Sequence, residues 1–463
     1  MSDVNLTDVF VDYVCDTKWE DLDDVTIDRV KCRLIDSFGV LAIGHTSPDT
    51  DATVALLQKA GGAEESTIAT YGSKIPMAQA AFANSILMRS YDFECIDAEA
   101  LNDDEGNTAA HISGTTVPAA LAVAEALHAS GKDLMLALIL GDDVTTRALC
   151  STGFSVHDCF DGNGTANILG STVAAGKLLG LDKEEMKGAF SLGINQMSGT
   201  MQNVFEKKIT FKVPIALSAR AGVFAAQLAT CGFGPCLNDS MNGPRGMFQM
   251  FYSNPTPEKM LTNLGTRFYA DAVIKPWPAC RATHASIDAT LQACAGKTFT
   301  ADEIEAVELH VAPGIKSFVG QGFVFGMDKS YQGAFSIDFL CATAILRGNV
   351  TPLYEQPEYM TDPAIGAILE KLTIFDDLPK AGDVSPAECV IKLADGTELK
   401  ARVDMALGDY KQTRLSRDEV LAKYYANIEF SGKVSKENAD KIVEVIDHLE
   451  DLEDIADLMA LIA

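Results

Sequence analysis

Basic residues are scarce in this chain: 37 Lys and Arg stand against 65 Asp and Glu among 463 residues, a formal charge of −28. Neutralising phosphates takes clustered cations, so this balance excludes nucleic acid as a partner. Long apolar runs are lacking too. None reaches the roughly 18 residues of a membrane span, and Met1-Ser2-Asp3-Val4 lacks the basic-then-apolar pattern of a signal peptide. A cytoplasmic protein with no membrane partner is expected. The eleven cysteines are odd in number and scattered, which favours free thiols over a disulfide framework. The one close pair, Cys231 and Cys236, has no matching second pair and no nearby His, so no metal site is expected. No Gly-x-Ser-x-Gly elbow, Walker lysine motif or His-Glu-x-x-His helix is present, which leaves serine-hydrolase, nucleotide and zinc chemistry without support.

What the chain does have is 47% hydrophobic residues over a length that supports a large core and more than one domain. From about Leu6 to Asn263, apolar residues recur at three-and-four spacing with Gly, Asp, Ser or Thr between segments. That pattern predicts a helix bundle, with helices at Thr26 to Ile43, Ile75 to Arg89, Pro118 to His128, Leu134 to Cys150, Thr172 to Leu179, Glu184 to Gln196 and Ile215 to Thr230. Near Phe268 it changes. Val307 to Val311 alternates, and Cys389, Ile391 and Leu393 alternate into an Asp395-Gly396 turn that leads back through Leu399, Ala401 and Val403. Helices at Ala285 to Ala295, Ser336 to Leu346 and Asp362 to Leu372 fall between these strands. The expectation is a mainly α protein: a helical domain over residues 1–265, completed by 406–463, and a smaller α+β domain over 266–405. One tail helix is predicted from Ser435 to Leu461, its apolar face packed back on the first domain and its acidic run solvated.

Lys275-Pro-Trp-Pro-Ala-Cys-Arg-Ala-Thr-His284 puts two cations beside two prolines just ahead of a helix. The prolines stiffen the segment, so Lys275 suits the holding of a carboxylate; a solvated lysine at a Pro-rich helix start is the plain alternative. In so acidic a chain a carboxylate substrate needs a local positive island. Lys207, Lys208, Lys212, Arg220, Arg245, Lys275 and Arg281, close together in sequence, are its candidates. Of seven histidines, His45, His128, His310 and His448 read as structural or solvent-facing, and His157 and His284 stay open. His111 differs. It leads into a helix through Ile112-Ser-Gly-Thr-Thr-Val-Pro118, after an acidic loop with Asp92, Glu94 and Asp97, a setting that suits a general acid or base. Asp161-Gly-Asn-Gly-Thr165 opens another helical run and offers either backbone donors for an anion or a tight helix contact.

In order along the chain, several segments together resemble the MmgE/PrpD family, which includes 2-methylcitrate dehydratase, cis-aconitate decarboxylase and iminodisuccinate epimerase. They are Tyr91-Asp-Phe, His111-Ile-Ser-Gly, Pro118-Ala-Ala-Leu, Gly164-Thr, Ala174-Ala-Gly-Lys-Leu-Leu-Gly-Leu-Asp182, Gln196-Met-Ser-Gly199, Ala219-Arg-Ala-Gly222, Gly243-Pro-Arg-Gly246 and the Lys275 to His284 stretch. The resemblance spans nearly the whole chain. It implies that the α+β domain is a lid on the helical one, that the protein is a homodimer, and that the site lies between the domains without metal or cofactor. Asp92, His111 and Lys275 match the family's site positions and are the catalytic residues it implies; Asp161, Lys208, Lys212, Cys280 and Arg281, at or beside other such positions, are the substrate-binding candidates.

Departures from the family pattern narrow the activity. Ile96 replaces a threonine, Asp161 a histidine, Phe211 a lysine that Lys212 or Lys208 would have to replace, Cys280 a decarboxylase-type histidine and Phe339 a tyrosine. These changes place cis-aconitate decarboxylation last among the family's activities. The shared chemistry is proton removal next to a carboxylate, with His111 as acid or base, Asp92 orienting it or sharing its proton, and Lys275 stabilising the enediolate. The expected function is a dehydratase-like lyase on a small hydroxy-carboxylic acid. An epimerase of an amino- or imino-dicarboxylate, with Asp161 pairing a cationic nitrogen, or a non-catalytic dimeric binding protein of the same fold, is the alternative.

Overall fold

The computed structural model describes residues 4–102, 108–155, 158–233, 237–325, 333–380 and 386–463, except for the side chains of 97 and 98. His157, Cys236, the Asp97 side chain and the end of the acidic loop therefore lie outside the described residues. All ten described cysteines are free.

The chain is mainly α, and most expected helices form within a few residues of their sequence bounds, among them Asp24–Ile43, Met77–Arg89, Ser113–Ala126, Gly131–Thr152, Asn167–Leu178, Lys183–Ile194 and Lys212–Thr230. Local chemistry fixes their starts. Asp23 accepts from the Thr26 amide, and Ser130 with Asp133 and Asp182 with Glu185 form reciprocal capping boxes. The segment Ile209–Thr230 is, by length and composition, apolar enough to cross a membrane, a property missed when only unbroken apolar runs are counted. Its burial explains the composition: 67% of its most apolar 18 residues lie inside the fold, where the helix packs against Met77–Arg89 and Asn167–Leu178.

The expected hairpin is present as Ala387–Leu393 paired antiparallel with Glu398–Val403, Cys389 opposite Ala401 and Ile391 opposite Leu399. Ile304–Val311 pairs antiparallel with the first of these strands, and Leu372–Phe375 adds a parallel edge strand beyond it. That edge strand corrects the sequence reading. The helix expected to reach Leu372 ends at Leu369, because the residues that follow bond to Val307–His310, about sixty residues away in sequence. Buried apolar side chains form two large clusters. One joins the helices of the first 270 residues to the tail; the other surrounds the four-stranded sheet and also takes in Met201, Val204 and Phe211 from the helical region.

The tail is not one helix. It breaks into Lys436–Asp447, a short 3-10 turn and Ile455–Met459, with Asp454 capping the last piece. Backbone bonds explain the break: the Gly131 amide donates to the Leu452 carbonyl at 2.9 Å and the Ile455 amide to the Ala129 carbonyl at 3.0 Å, which an unbroken helix would forbid. A Cβ at Gly131 would lie 1.7 Å from the Leu449 carbonyl oxygen. Gly131→Ala is therefore expected to cost about 1–3 kcal/mol by forcing this junction apart, read as a lower thermal midpoint; an unchanged midpoint would refute the docking argument.

Candidate active site

Three pieces of chain meet at one buried ion cluster. Helix Met77–Arg89 ends in Arg89, and the chain then turns through Asp92, whose φ of 49° is left-handed, a strained conformation for a residue with a side chain. Strand Ile96–Ala98 follows and pairs antiparallel with Ala272–Val273, Ile96 opposite Val273. This small pairing sets Asp92 and Glu94 against Lys275, two residues past Val273. The third piece is the start of helix Ser113–Ala126, which brings His111, its amide held by the Asn163 side chain at 3.0 Å.

Arg89 is the hub. Its Nη1 donates to Asp92 Oδ1 and, at 2.9 Å, to Glu94 Oε1, and lies 3.1 Å from His111 Nδ1. The guanidinium rests on the Phe211 ring, 4.6 Å from its centroid, and Phe211 belongs to the sheet-side cluster. The site thus sits where the two apolar clusters meet. Lys275 Nζ donates to the Asp92 carboxylate at 2.7 Å and to the Asp92 carbonyl at 2.5 Å, and Lys275 is 0% exposed. Stiffly held, as its prolines suggested, it does grip a carboxylate, but one supplied by the chain itself.

His111 Nδ1 lies 2.8 Å from Glu94 Oε1, whereas Nε2 is 3.7 Å from Asp92 Oδ1. Glu94, not Asp92, is therefore the residue positioned to orient the imidazole. A carboxylate at that distance places the proton on Nδ1 and leaves Nε2 able to accept one. Charge states follow from the geometry. Burial opposes ionisation of Asp92, but Arg89, Lys275 and His111 outweigh it and hold its carboxyl well below the usual range. Burial likewise opposes ionisation of Glu94, yet Arg89 and His111 bring it to about 2. For His111, burial and then Arg89 lower the proton affinity, the two carboxylates offset this only in part, and the ring sits at about 4. At neutral pH His111 is uncharged. Asp92, Glu94 and His111 offer donor atoms within 4.8 Å of one another, the spacing of a metal site. Arg89 and Lys275 already engage Asp92 Oδ1, and Arg89 also engages Glu94 Oε1, while Asp92 Oδ2 and Glu94 Oε2 have no partner among the described residues; with two fixed cations this close, the donor set fits an ion-pair cluster better than a metal ion.

The other candidates disperse. Asp161 is buried beside this centre, where it caps the Asn163 amide at 2.9 Å; burial raises its carboxyl and Arg89 pulls it back. A Cβ at Gly164 would meet the Ser198 carbonyl at 1.9 Å, so this second glycine after Asp161 serves a tight backbone contact. Cys280 is buried close enough to feel Asp92 and Lys275, and burial pushes its thiol up to about 12. Arg281 donates to the carbonyls of Ala406 and Leu407, Lys207 to Ser336 and the Gly322 carbonyl, and Lys212 to Ser47 at 2.8 Å. Lys208 is half-buried and Arg245 exposed. Arg220 lies over the Phe82 ring, 5.8 Å from its centroid, so the seven neighbouring cations form no single island and only Lys275 joins the cluster. Arg89 and Glu94 were missed as site residues. Both lie within three residues of Asp92, but that nearness alone does not single them out.

A tail residue braces this centre. Lys423, on helix Arg417–Ser431, donates to the Phe93 carbonyl at 3.0 Å, lies 3.8 Å from the Phe93 ring centroid and pairs with buried Asp36 at 2.6 Å.

This architecture is that of a known family. Residues 8–260 match the MmgE/PrpD N-terminal domain and residues 277–449 the MmgE/PrpD C-terminal domain. The chain belongs to the MmgE/PrpD family. Its relatives include cis-aconitate decarboxylases from Mus musculus, 27% identical over 96% of this chain and 90% of the relative, and from Homo sapiens, 26% identical over 96% and 91%. A cis-aconitate decarboxylase from Aspergillus terreus is 22% identical over 92% of this chain and 89% of its own.

Proposed function

We propose that the protein is a cofactor-independent lyase that removes a proton from the carbon next to a carboxylate of a small hydroxy-carboxylic acid and eliminates water, as 2-methylcitrate dehydratase does. The lyase class rests on the family and on its decarboxylase relatives. The observation that carries the reaction is His111, neutral, buried and oriented through Nδ1 by Glu94, with Nε2 left as base. Lys275 and Arg89 supply preorganised positive charge to the developing enediolate, each such donor being worth about 3–4 kcal/mol of barrier. Because Asp92 occupies Lys275 in the closed site, the substrate carboxylate competes with it, and the sheet-bearing unit acts as a lid that opens to admit substrate. A cytoplasmic homodimer completes the proposal.

The relatives favour a second reading, decarboxylation, in which a carbon–carboxylate bond breaks to give the same type of carbanion. Against it stand Phe339, buried and stacked 4.6 Å from Phe323, and Cys280, neither of which offers a readily transferred proton.

Proton NMR in D₂O tests both, with a panel of hydroxy-, amino- and unsaturated carboxylic acids that includes cis-aconitate. Wild type is expected to exchange the proton next to a carboxylate and release an unsaturated acid, and Lys275→Ala to do neither. Carbon dioxide release from cis-aconitate would select the second reading. Inversion without elimination would mark an epimerase, and inertness toward the whole panel would sink the catalytic proposal.

A further inference from the structure

Elimination of water moves two protons, and His111 accounts for one. The departing hydroxyl needs an acid of its own. Around the cluster, Asp92 and Glu94 are ionised and engaged by Arg89 and Lys275, and Cys280 holds its proton too tightly to give it up near neutrality. Asp161 is committed to the Asn163 amide and faces the charge of Arg89. Glu355 is different. It closes the 3-10 turn Pro352–Glu355 and is only 8% exposed; like Asp92 and Glu94 it has one oxygen without a hydrogen-bond partner, but unlike them it makes no ion pair among the described residues.

Two clamps hold Glu355 at this place. Its Oε2 lies against the Gly333–Ala334 backbone, 3.1 Å from where a Cβ on Gly333 would stand, and the Ala334 carbonyl accepts from the Cys280 amide at 2.9 Å, in the segment that carries Lys275. The next residue, Gln356, donates through Nε2 to the Tyr91 hydroxyl at 2.6 Å, one position before Asp92. Neighbouring residues of one turn are thereby tied to both walls of the ion cluster. A buried carboxylate with an unsatisfied oxygen is costly, whereas the neutral acid is not. Burial first, and then the charge of Asp92, push Glu355 up to about 8.

We infer that Glu355 is the second proton-transfer residue of this site, protonating the hydroxyl that leaves once His111 has taken the proton from the adjacent carbon. The inference rests on the dehydratase reading. His111 Nε2 first accepts the carbon-bound proton, leaving the C–H electron pair in the enediolate; that pair then closes the C=C bond as the C–O bond breaks and the oxygen takes the Glu355 proton and departs as water. Glu355 is left as a carboxylate and His111 as an imidazolium. One proton returned to solvent by His111 and one regained by Glu355 restore the starting state.

The test compares wild type with Glu355→Gln and Glu355→Asp in D₂O, on the panel member that wild type dehydrates. In Glu355→Gln, exchange at the carbon next to the carboxylate is expected to stay within about threefold of wild type while elimination falls at least about 10²-fold. Glu355→Asp, which keeps an acid, is expected to recover roughly a tenth of the lost elimination. The infrared C=O band of a protonated carboxyl should be present in wild type at pH 7 and missing from Glu355→Gln. Elimination by Glu355→Gln within about threefold of wild type would overturn the assignment. So would a wild type without that band, or equal loss of exchange and elimination in both variants, which marks a structural role. A wild type inert toward every acid refutes the dehydratase reading itself, and the role of Glu355 with it.

Discussion

Arg89→Met is expected to lower folding stability by about 3–5 kcal/mol, a large part of the roughly 5–15 kcal/mol typical of a whole protein. The methionine fills much of the same space on the Phe211 ring. What disappears is the cation that Asp92 and Glu94 share, and two carboxylates buried at 1% and 0% exposure are then left with Lys275, which bonds only Asp92. Glu94→Gln added to Arg89→Met should restore part of the loss, since it removes the carboxylate left without a strong cation. Denaturant midpoints of wild type and the two variants decide the matter. A loss under about 1 kcal/mol would mean that the cluster is as weakly coupled as a surface pair.

His111→Gln is expected to leave the fold intact and reduce turnover about 10²–10⁴-fold, the range for a lost general base. A second signature separates this residue from a passive neighbour. The imidazole has an ordinary value of 6.5 and sits at about 4 in the folded chain. Between those values the unfolded chain binds the proton and the folded chain does not, so this group withdraws stability as pH falls from 6.5 toward 4. His111→Gln should flatten the acid limb of the stability profile across that window. Full turnover by the variant on an identified substrate would remove His111 from the mechanism.

Much of the fold was legible because its signals are local. The Asp395-Gly396 turn and the alternation on either side specify their hairpin within fifteen residues, and capped amphipathic segments locate most helices. Non-local partners hid the rest. Leu372–Phe375 becomes a strand only beside Ile304–Val311, and the tail helix breaks only where its backbone meets Ala129 and Gly131. In the site, His111, Asp92 and Lys275 stood out by their neighbours in sequence, and the structure does bring them together. Arg89 looked like the ordinary end of a helix, and nothing in the spacing distinguished Glu94 from Asp92 as the partner of His111. The run of cations from Lys207 to Arg281 misled for the converse reason. Nearness in sequence put them on several elements whose carbonyls and hydroxyls each claim a different side chain.

The brace from Lys423 to Phe93 also bears on how the protein is made. Its two ends are 330 residues apart, so the loop carrying Asp92 and Glu94 leaves the ribosome long before the lysine that holds its middle. At about 5–20 residues per second the interval is roughly 15–70 s. For that time the nascent chain carries acidic groups whose final counterions, Lys275 and then Lys423, have yet to be translated. A chain stopped before Lys423 would therefore present an unfinished, charge-strained core to chaperones and proteases instead of a slow enzyme, and its fate would be decided by clearance, not by catalysis.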